Sequence, residues 1–278
     1  VLNSMMRKFL SIKLILISFF LTPLNNNAEE NLLYRGGIFI SEITKYSHEA
    51  GFTFHNSKVL TYEKEGKFYL IFGIPYKSKI GKNTYLLKNG NKDYPVKFTI
   101  NDKEYATQRI SVAKKYTEPS EEIINRVLKE KKELMAARSK WIDMKVDLDF
   151  VLPVEGITTG VYGTRRFYNG KEGNYHNGLD IAAPIGTEIV APSSGRVLLT
   201  GDYFYNGKFI YIDHGQNLKS IFIHLNKINV NVGDILKKGQ IIGEVGSTGK
   251  STGPHLHWSV TLNSVYVDPE IFINKQIF

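Results

Sequence analysis

Five of the seven histidines fall from residue 176 onward in this 278-residue chain, and their spacing suits metal chemistry. His176 stands four residues before Asp180 in the segment HNGLD. His255 and His257 flank Leu256 in GPHLHW, and His224 closes the run SIFIHL. On a strand, side chains at i and i+2 share a face, so His255 and His257 should point the same way while Leu256 points to the core. The same period predicts that Phe222 and His224 share a face. Gly178 would let the backbone between His176 and Asp180 turn closely around an ion. Two imidazoles and one carboxylate make a three-ligand zinc site with one open position, where a water can be activated against a peptide carbonyl. Two further histidines beside such a site can act as base and electrophilic helper.

Blander readings exist for each signal alone. An isolated H-x-H can be a structural pair, and a purely structural zinc site would recruit four protein ligands, the spare histidines among them. His48 and His55 have no acidic neighbours at metal spacing and read as core or surface residues. The chain has no cysteine, which excludes disulfides, thiolate metal sites and cysteine nucleophiles.

The elements that must position these residues read as strands. GTEIVAPSSGRVLLTG, KFIYIDHG, KSIFIHL, QIIGEVGSTG and GPHLHWSVTLN are short apolar runs punctuated by glycine, with no long helical pattern among them. They predict an antiparallel β-sheet domain over 145–278. Upstream, GKFYLIFGIP, NTYLLK, YPVKFTI and YATQRISVA predict a small β-sandwich or barrel over 29–116, with a turn at Asn89-Gly90. Between them, 117–144 reads as a linking amphipathic helix. Pro119 and Ser120 open it, Glu121 and Glu122 suit its positive end, and Ile123, Val127, Leu134 and Trp141 recur at helical spacing, interrupted by Glu130. The fold class expected is therefore mostly β, with one connecting helix.

The formal charge is +9, and the excess lies before Asp147, in residues such as Lys77, Lys79, Lys82, Lys129, Lys131 and Lys132. A solvated lysine-rich surface or an anionic polymer partner would account for it. Nothing resembles a helix-turn-helix, an RNA-binding sheet or a zinc finger, so no nucleic-acid partner is expected. Residues 1–28 read as a signal peptide, with Arg7 and Lys8 before the apolar stretch Ile12–Leu24 and Ala28 at the cleavage point. An uncleaved inner-membrane anchor is the alternative, because Asn26 is not the small residue usual two positions earlier.

From about 147 to 270 the chain resembles the lysostaphin-type zinc peptidases, the LytM-like or M23 family of peptidoglycan endopeptidases. The resemblance rests on HNGLDIAAPIGTEIVAPSSGRV, on His224-Leu225 and on VNVGDILKKGQIIGEVGSTGKSTGPHLHW, whose STGPHLH segment is highly specific. It implies that His176, Asp180 and His257 hold Zn2+, that His255 is the general base and that His224 stabilises the oxyanion. GTRRF, Gly163–Phe167, resembles the family's groove-lining segment. The family often has Tyr where this chain has Phe222, which implies a hydroxyl lost near the cleft. His214 in IDHG is a common family position and reads as structural. The N-terminal part, on YATQRISVAKKYTEPSEEIINRVLKEK with Gln108, Pro119 and Glu130, resembles a domain preceding this peptidase in some Gram-negative envelope proteins. In some relatives such a segment covers the cleft and fills the open zinc position.

The resemblance implies an endopeptidase of the periplasm or cell envelope acting on peptidoglycan stem peptides and cross-links, with the D-alanine–meso-diaminopimelate bond favoured. A carboxypeptidase trimming stem peptides is the enzymatic alternative. A non-catalytic activator of amidases is the other, and the presence of every ligand type weighs against it.

Overall fold

In this computed structural model, residues 30–274 and 277–278 are described. The signal segment expected over 1–28 lies outside them. Among the described residues, no helix is long and apolar enough to cross a membrane.

The chain is mostly β. Its main sheet is antiparallel and runs in the order Ile235–Leu236, Gly195–Tyr203, Gly207–Asp213, Leu218–Leu225, Leu256–Leu262, Leu179–Ala182 and Ile157–Gly160, with Val265–Val267 also paired to Leu256–Leu262. A small second sheet joins Glu188–Val190, Ile241–Glu244 and Lys227–Ile228. Strict alternation places Leu256, Trp258, Val260 and Leu262 in the core while His257 and Ser259 face the other way. The strands carrying His257 and Asp180 are direct neighbours, with Asp180 opposite His257. That register brings together residues 77 positions apart in sequence.

Upstream, two small sheets form the expected sandwich. One orders Ile38–Ile43, Lys67–Gly73 and Leu60–Lys64, and the other Ser57–Lys58, Thr53–Phe54, Gly81–Asn89 and Lys92–Ile100. Gly90 takes φ +56° in the tight turn between the last two strands, where the sequence marks it. The first sheet is apolar on both sides. Phe39, Leu70 and Phe72 fill the sandwich core, while Ile38, Ile40, Leu60 and Ile71 join the core of the main sheet.

One strand departs from expectation. Thr107–Ile110 leaves the sandwich and pairs in parallel with Arg165–Tyr168, the strand that begins within GTRRF. The N-terminal part thereby reaches the edge of the cleft described below.

The helix runs Glu121–Ser139, with the Ser120 hydroxyl accepting from the Ile123 N–H at 3.4 Å. Leu134 and Ala137 cluster with Leu198 and Leu199 of the Gly195–Tyr203 strand, Ile123 and Val127 are half-buried, and Ile124, Leu128 and Met135 are exposed. Glu130, which breaks the apolar stripe, does so with a function: its carboxylate accepts from the Phe204 N–H and from Arg126 Nε. The helix end is held by Lys219, whose ammonium donates to the carbonyls of Arg138 and Lys140 at 2.6 Å each.

Candidate metal centre and active site

His176, Asp180 and His257 converge, their ligand atoms all within 4.8 Å of one another. His176 Nε2 lies 2.9 Å from Asp180 Oδ1, and His257 Nδ1 lies 2.7 Å from the same oxygen. The two imidazole nitrogens stand 2.9 Å apart. All three residues are buried.

Hydrogen bonds behind the rings assign their protons. His176 Nδ1 faces the Val161 carbonyl at 2.8 Å, so it donates and Nε2 carries the lone pair. Ser259 Oγ donates to Asn177 Oδ1 at 3.4 Å, so it accepts from His257 Nε2 at 2.8 Å and leaves the lone pair on Nδ1. Burial pushes the His257 pKa down to about 4, which keeps the ring neutral near pH 7. Burial alone would raise the Asp180 carboxyl; hydrogen bonds and charge from His176 and His257 outweigh it and hold the group well below the usual carboxylate range. Three electron-pair donors thus face one point with their protons spent outward. A shared cation satisfies that arrangement. Two neutral imidazoles and a carboxylate suit zinc and leave a coordination position open, so a His/His/Asp cluster consistent with a single Zn2+ site is present.

The backbone that builds the cluster is tightly constrained. Register shifts at Asp180 against the Ile157–Gly160 strand, a bulge at the residue that must be aimed. Gly178 serves close packing rather than a turn: a Cβ there would meet the Trp258 carbonyl oxygen at 2.4 Å and His257 Cε1 at 2.9 Å. Gly160 likewise leaves room for Asp180 and Arg166.

His224 and His255 line the same cleft, of about 280 Å3. His255 does share a side with His257, and its Nε2 lies 3.9 Å from Asp180 Oδ1. Its Nδ1 faces the Gly253 carbonyl at 2.8 Å, so Nε2 presents a lone pair to the cleft. His224 Nδ1 donates to the Thr248 carbonyl at 2.8 Å, with the same result. Burial, then the like charges of His257 and His255, push the His224 pKa down to about 3.

The period-two expectation fails at His224. Phe222 is fully buried in the core, while His224 turns into the cleft. Lys208 pairs with Leu225 and Ile210 with Phe222, so the His224 strand carries one extra residue, and His224 takes φ +68°. The bulge re-aims the imidazole across the sheet. It also corrects the reading of Phe222: a hydroxyl there would enter the core, not the cleft.

His214 is buried away from the cleft, bonded to the Ser194 carbonyl and the Ser220 hydroxyl. His48 packs near Phe68 and His55 is exposed. Gln108 and Ile110 of the N-terminal strand form one wall of the cleft. Among the described residues, no N-terminal histidine, aspartate or glutamate joins the three ligand atoms. Arg166 lines the cleft, as expected of the segment GTRRF, and so does Lys250, to which the motifs gave no role.

A crystal structure from Pseudomonas aeruginosa, described as a peptidase M23, is similar across nearly the whole molecule. It is 31% identical, with a TM-score of 0.69, and the match covers 92% of this chain and 98% of that one. The model of peptidase family M23 matches residues 174–269, which contain all five site residues. The chain belongs to peptidase family M23. The chain is also 40% identical over 93 residues to the peptidoglycan DD-endopeptidase ShyB of Vibrio cholerae, covering 34% of this chain and 22% of that protein. It is 42% identical over 105 residues to lysostaphin of Staphylococcus simulans, covering 37% of this chain and 21% of that protein. The matches therefore span about a fifth of the length of these curated relatives.

Proposed function

We propose that this M23 protein is a lysostaphin-type zinc metallo-endopeptidase that hydrolyses peptide cross-links of peptidoglycan, the D-alanine–meso-diaminopimelate bond among them. The observation that carries the reading is the pairing of a three-donor cluster with two imidazoles, each anchored through Nδ1 on a carbonyl and opening Nε2 on the same cleft. His176 Nε2, Asp180 Oδ1 and His257 Nδ1 would hold zinc. When bound, zinc supplies Lewis acidity, activating a water and polarising a carbonyl.

His255 Nε2 takes the proton of the attacking water, its ring held in orientation by the Gly253 carbonyl, and passes it to the departing amide nitrogen. His224 enters with Nε2 unprotonated, because Thr248 accepts its Nδ1 proton. As negative charge grows on the carbonyl oxygen, that nitrogen takes a proton from solvent and donates it in a hydrogen bond to the oxygen, and the proton returns to solvent when the oxyanion collapses. The name of the Vibrio relative, a peptidoglycan DD-endopeptidase, supports the wall as substrate and a bond between D-centres. Such a substrate places the protein in the periplasm or cell envelope. In outline, 145–278 is the catalytic unit and 29–116 the N-terminal unit, linked by 117–144.

Purified muropeptides test this. Zinc-loaded protein should convert cross-linked dimers to monomers, and His255→Ala should retain zinc while losing hydrolysis. Loss of terminal residues alone would make the enzyme a carboxypeptidase. No product, with stimulation of an added amidase, would make it a non-catalytic activator.

A further inference from the structure

The cleft holds a cation that neither the metal cluster nor the two further histidines employ. Lys250 Nζ stands 3.2 Å from the centroid of the Tyr168 ring. It is only partly exposed, and among the described residues no carboxylate pairs with it. Arg166 lies on the same wall, already engaged through Nη2 with Asp180 and through Nε with Gln108. Burial and then the charge of Arg166 push the Lys250 pKa down to about 8, a mark of an ammonium short of both water and counter-charge.

The position is built, not accidental. The Lys250 N–H donates to the Tyr205 carbonyl at 2.9 Å, and Tyr116 donates to the Gly249 carbonyl at 2.6 Å. Thr248 Oγ anchors the same loop on the Leu225 carbonyl at 2.8 Å. Tyr168, in turn, is held by the strand pairing with Ile110. An aromatic face compensates a cation only in part, and two neighbouring cations repel. Asp180 is the one carboxylate on this cleft wall, and it faces Arg166 and the metal-ligand cluster. The vacant complement is an anion brought by the substrate.

We propose that Lys250, seated on Tyr168 beside Arg166, is a specificity-determining residue that reads a free carboxylate on the peptide being cut. The inference rests on the cross-link reading above. In a D-alanine–meso-diaminopimelate link, the nearest free carboxylate sits on the carbon that bears the scissile nitrogen. Lys250 would donate to that group, and Arg166 would add field without leaving Asp180.

The test uses two synthetic cross-linked dimers that differ only in whether this carboxylate is free or amidated. Binding to chelator-stripped, full-length protein is measured by calorimetry, where no hydrolysis intervenes. The wild type should bind the free-carboxylate dimer about 10- to 100-fold more tightly. Lys250→Met should lose that preference while binding the amidated dimer as before, and Lys250→Arg should largely restore it. Equal affinities in the wild type, binding of neither dimer, or an unchanged preference in Lys250→Met would overturn the subsite. Hydrolysis is then scored separately on zinc-loaded protein. Cleavage of neither dimer, with the binding preference intact, would sink the endopeptidase reading and leave the subsite standing.

Discussion

Arg166 and Asp180 meet across the cleft wall, Nη2 to Oδ2 at 2.5 Å, with side-chain exposures of 14% and 9%. Asp180 thus spends one oxygen on the metal cluster and the other on the strand that carries Arg166. In chelator-stripped protein, Asp180→Ala should lose about 3 kcal/mol of stability in urea titrations, because Arg166 is left a nearly buried charge with Gln108 alone. His257→Ala should abolish zinc binding too, yet cost the stripped protein less. Equal losses for the two variants would show that the ion pair is not what holds this wall.

Gly178→Ala should damage the metal site without touching a ligand. A Cβ at this position would meet the Trp258 backbone carbonyl oxygen at 2.4 Å, with the Ser259 hydroxyl at 2.7 Å and the His257 ring at 2.9 Å beside it. The segment holding His176 and Asp180 must then move off the His257 strand. Zinc affinity by chelator competition should fall about 10-fold or more, since ligand geometry is disturbed as it is when supporting groups are lost. An unchanged affinity with normal folding would mean that the strand can yield by several tenths of an ångström.

Lys219 and Asp213 form a pair with exposures of 1% and 0%. Burial dominates both groups, lowering the lysine and raising the carboxyl. Lys219→Met would strand that carboxyl and the two carbonyls at the helix end. A loss of about 3–5 kcal/mol in chemical denaturation is expected. Faster protease cutting near 139–146 should accompany it, and cutting at the wild-type rate would contradict the role given to Lys219 in docking the helix.

His214 should impose a pH dependence on stability. Burial pushes its pKa down from 6.5 to about 4. Between those values the unfolded chain binds a proton that the folded one refuses, so stability rises with pH. Full stability is present above about 6.5 and is lost as pH falls toward 4, by roughly 3 kcal/mol at about 1.4 kcal/mol per pKa unit. His214→Gln should flatten that part of the profile relative to wild type, by urea titration at each pH. Parallel profiles would show that other groups set the slope.

The chemistry was more legible than its geometry. His255 and His257 behave as strand periodicity requires, because Leu256 is pinned in the core between them. His224 does not, because a bulge is a property of the pairing between two strands and leaves no mark in either alone. Ser120 marked the start of the helix, but the apolar spacing ran on to Trp141, past the last helical residue Ser139, and the reason for Glu130 needed Phe204, 74 residues away. Thr107–Ile110 looked like one more strand of the sandwich. Its parallel partner lies 58 residues further on, and no local pattern names a partner at that distance. Lys250 was hidden for the same reason, since its meaning comes from Tyr168 and Arg166 across the cleft.

The strand Ile38–Ile43 is apolar on both sides, and this limits how such a protein can be taken apart or recombined. Ile38, Ile40, Leu60 and Ile71 belong to the same core as Trp258 and Phe222. Each buried aliphatic contributes roughly 1.5–3 kcal/mol, so excising the N-terminal half would bare a greasy floor beneath the catalytic sheet. A fragment made that way reports on aggregation as much as on catalysis. Modular shuffling of the 147–270 segment into a foreign chain would carry the same scar, because the floor of its core is built by the other half.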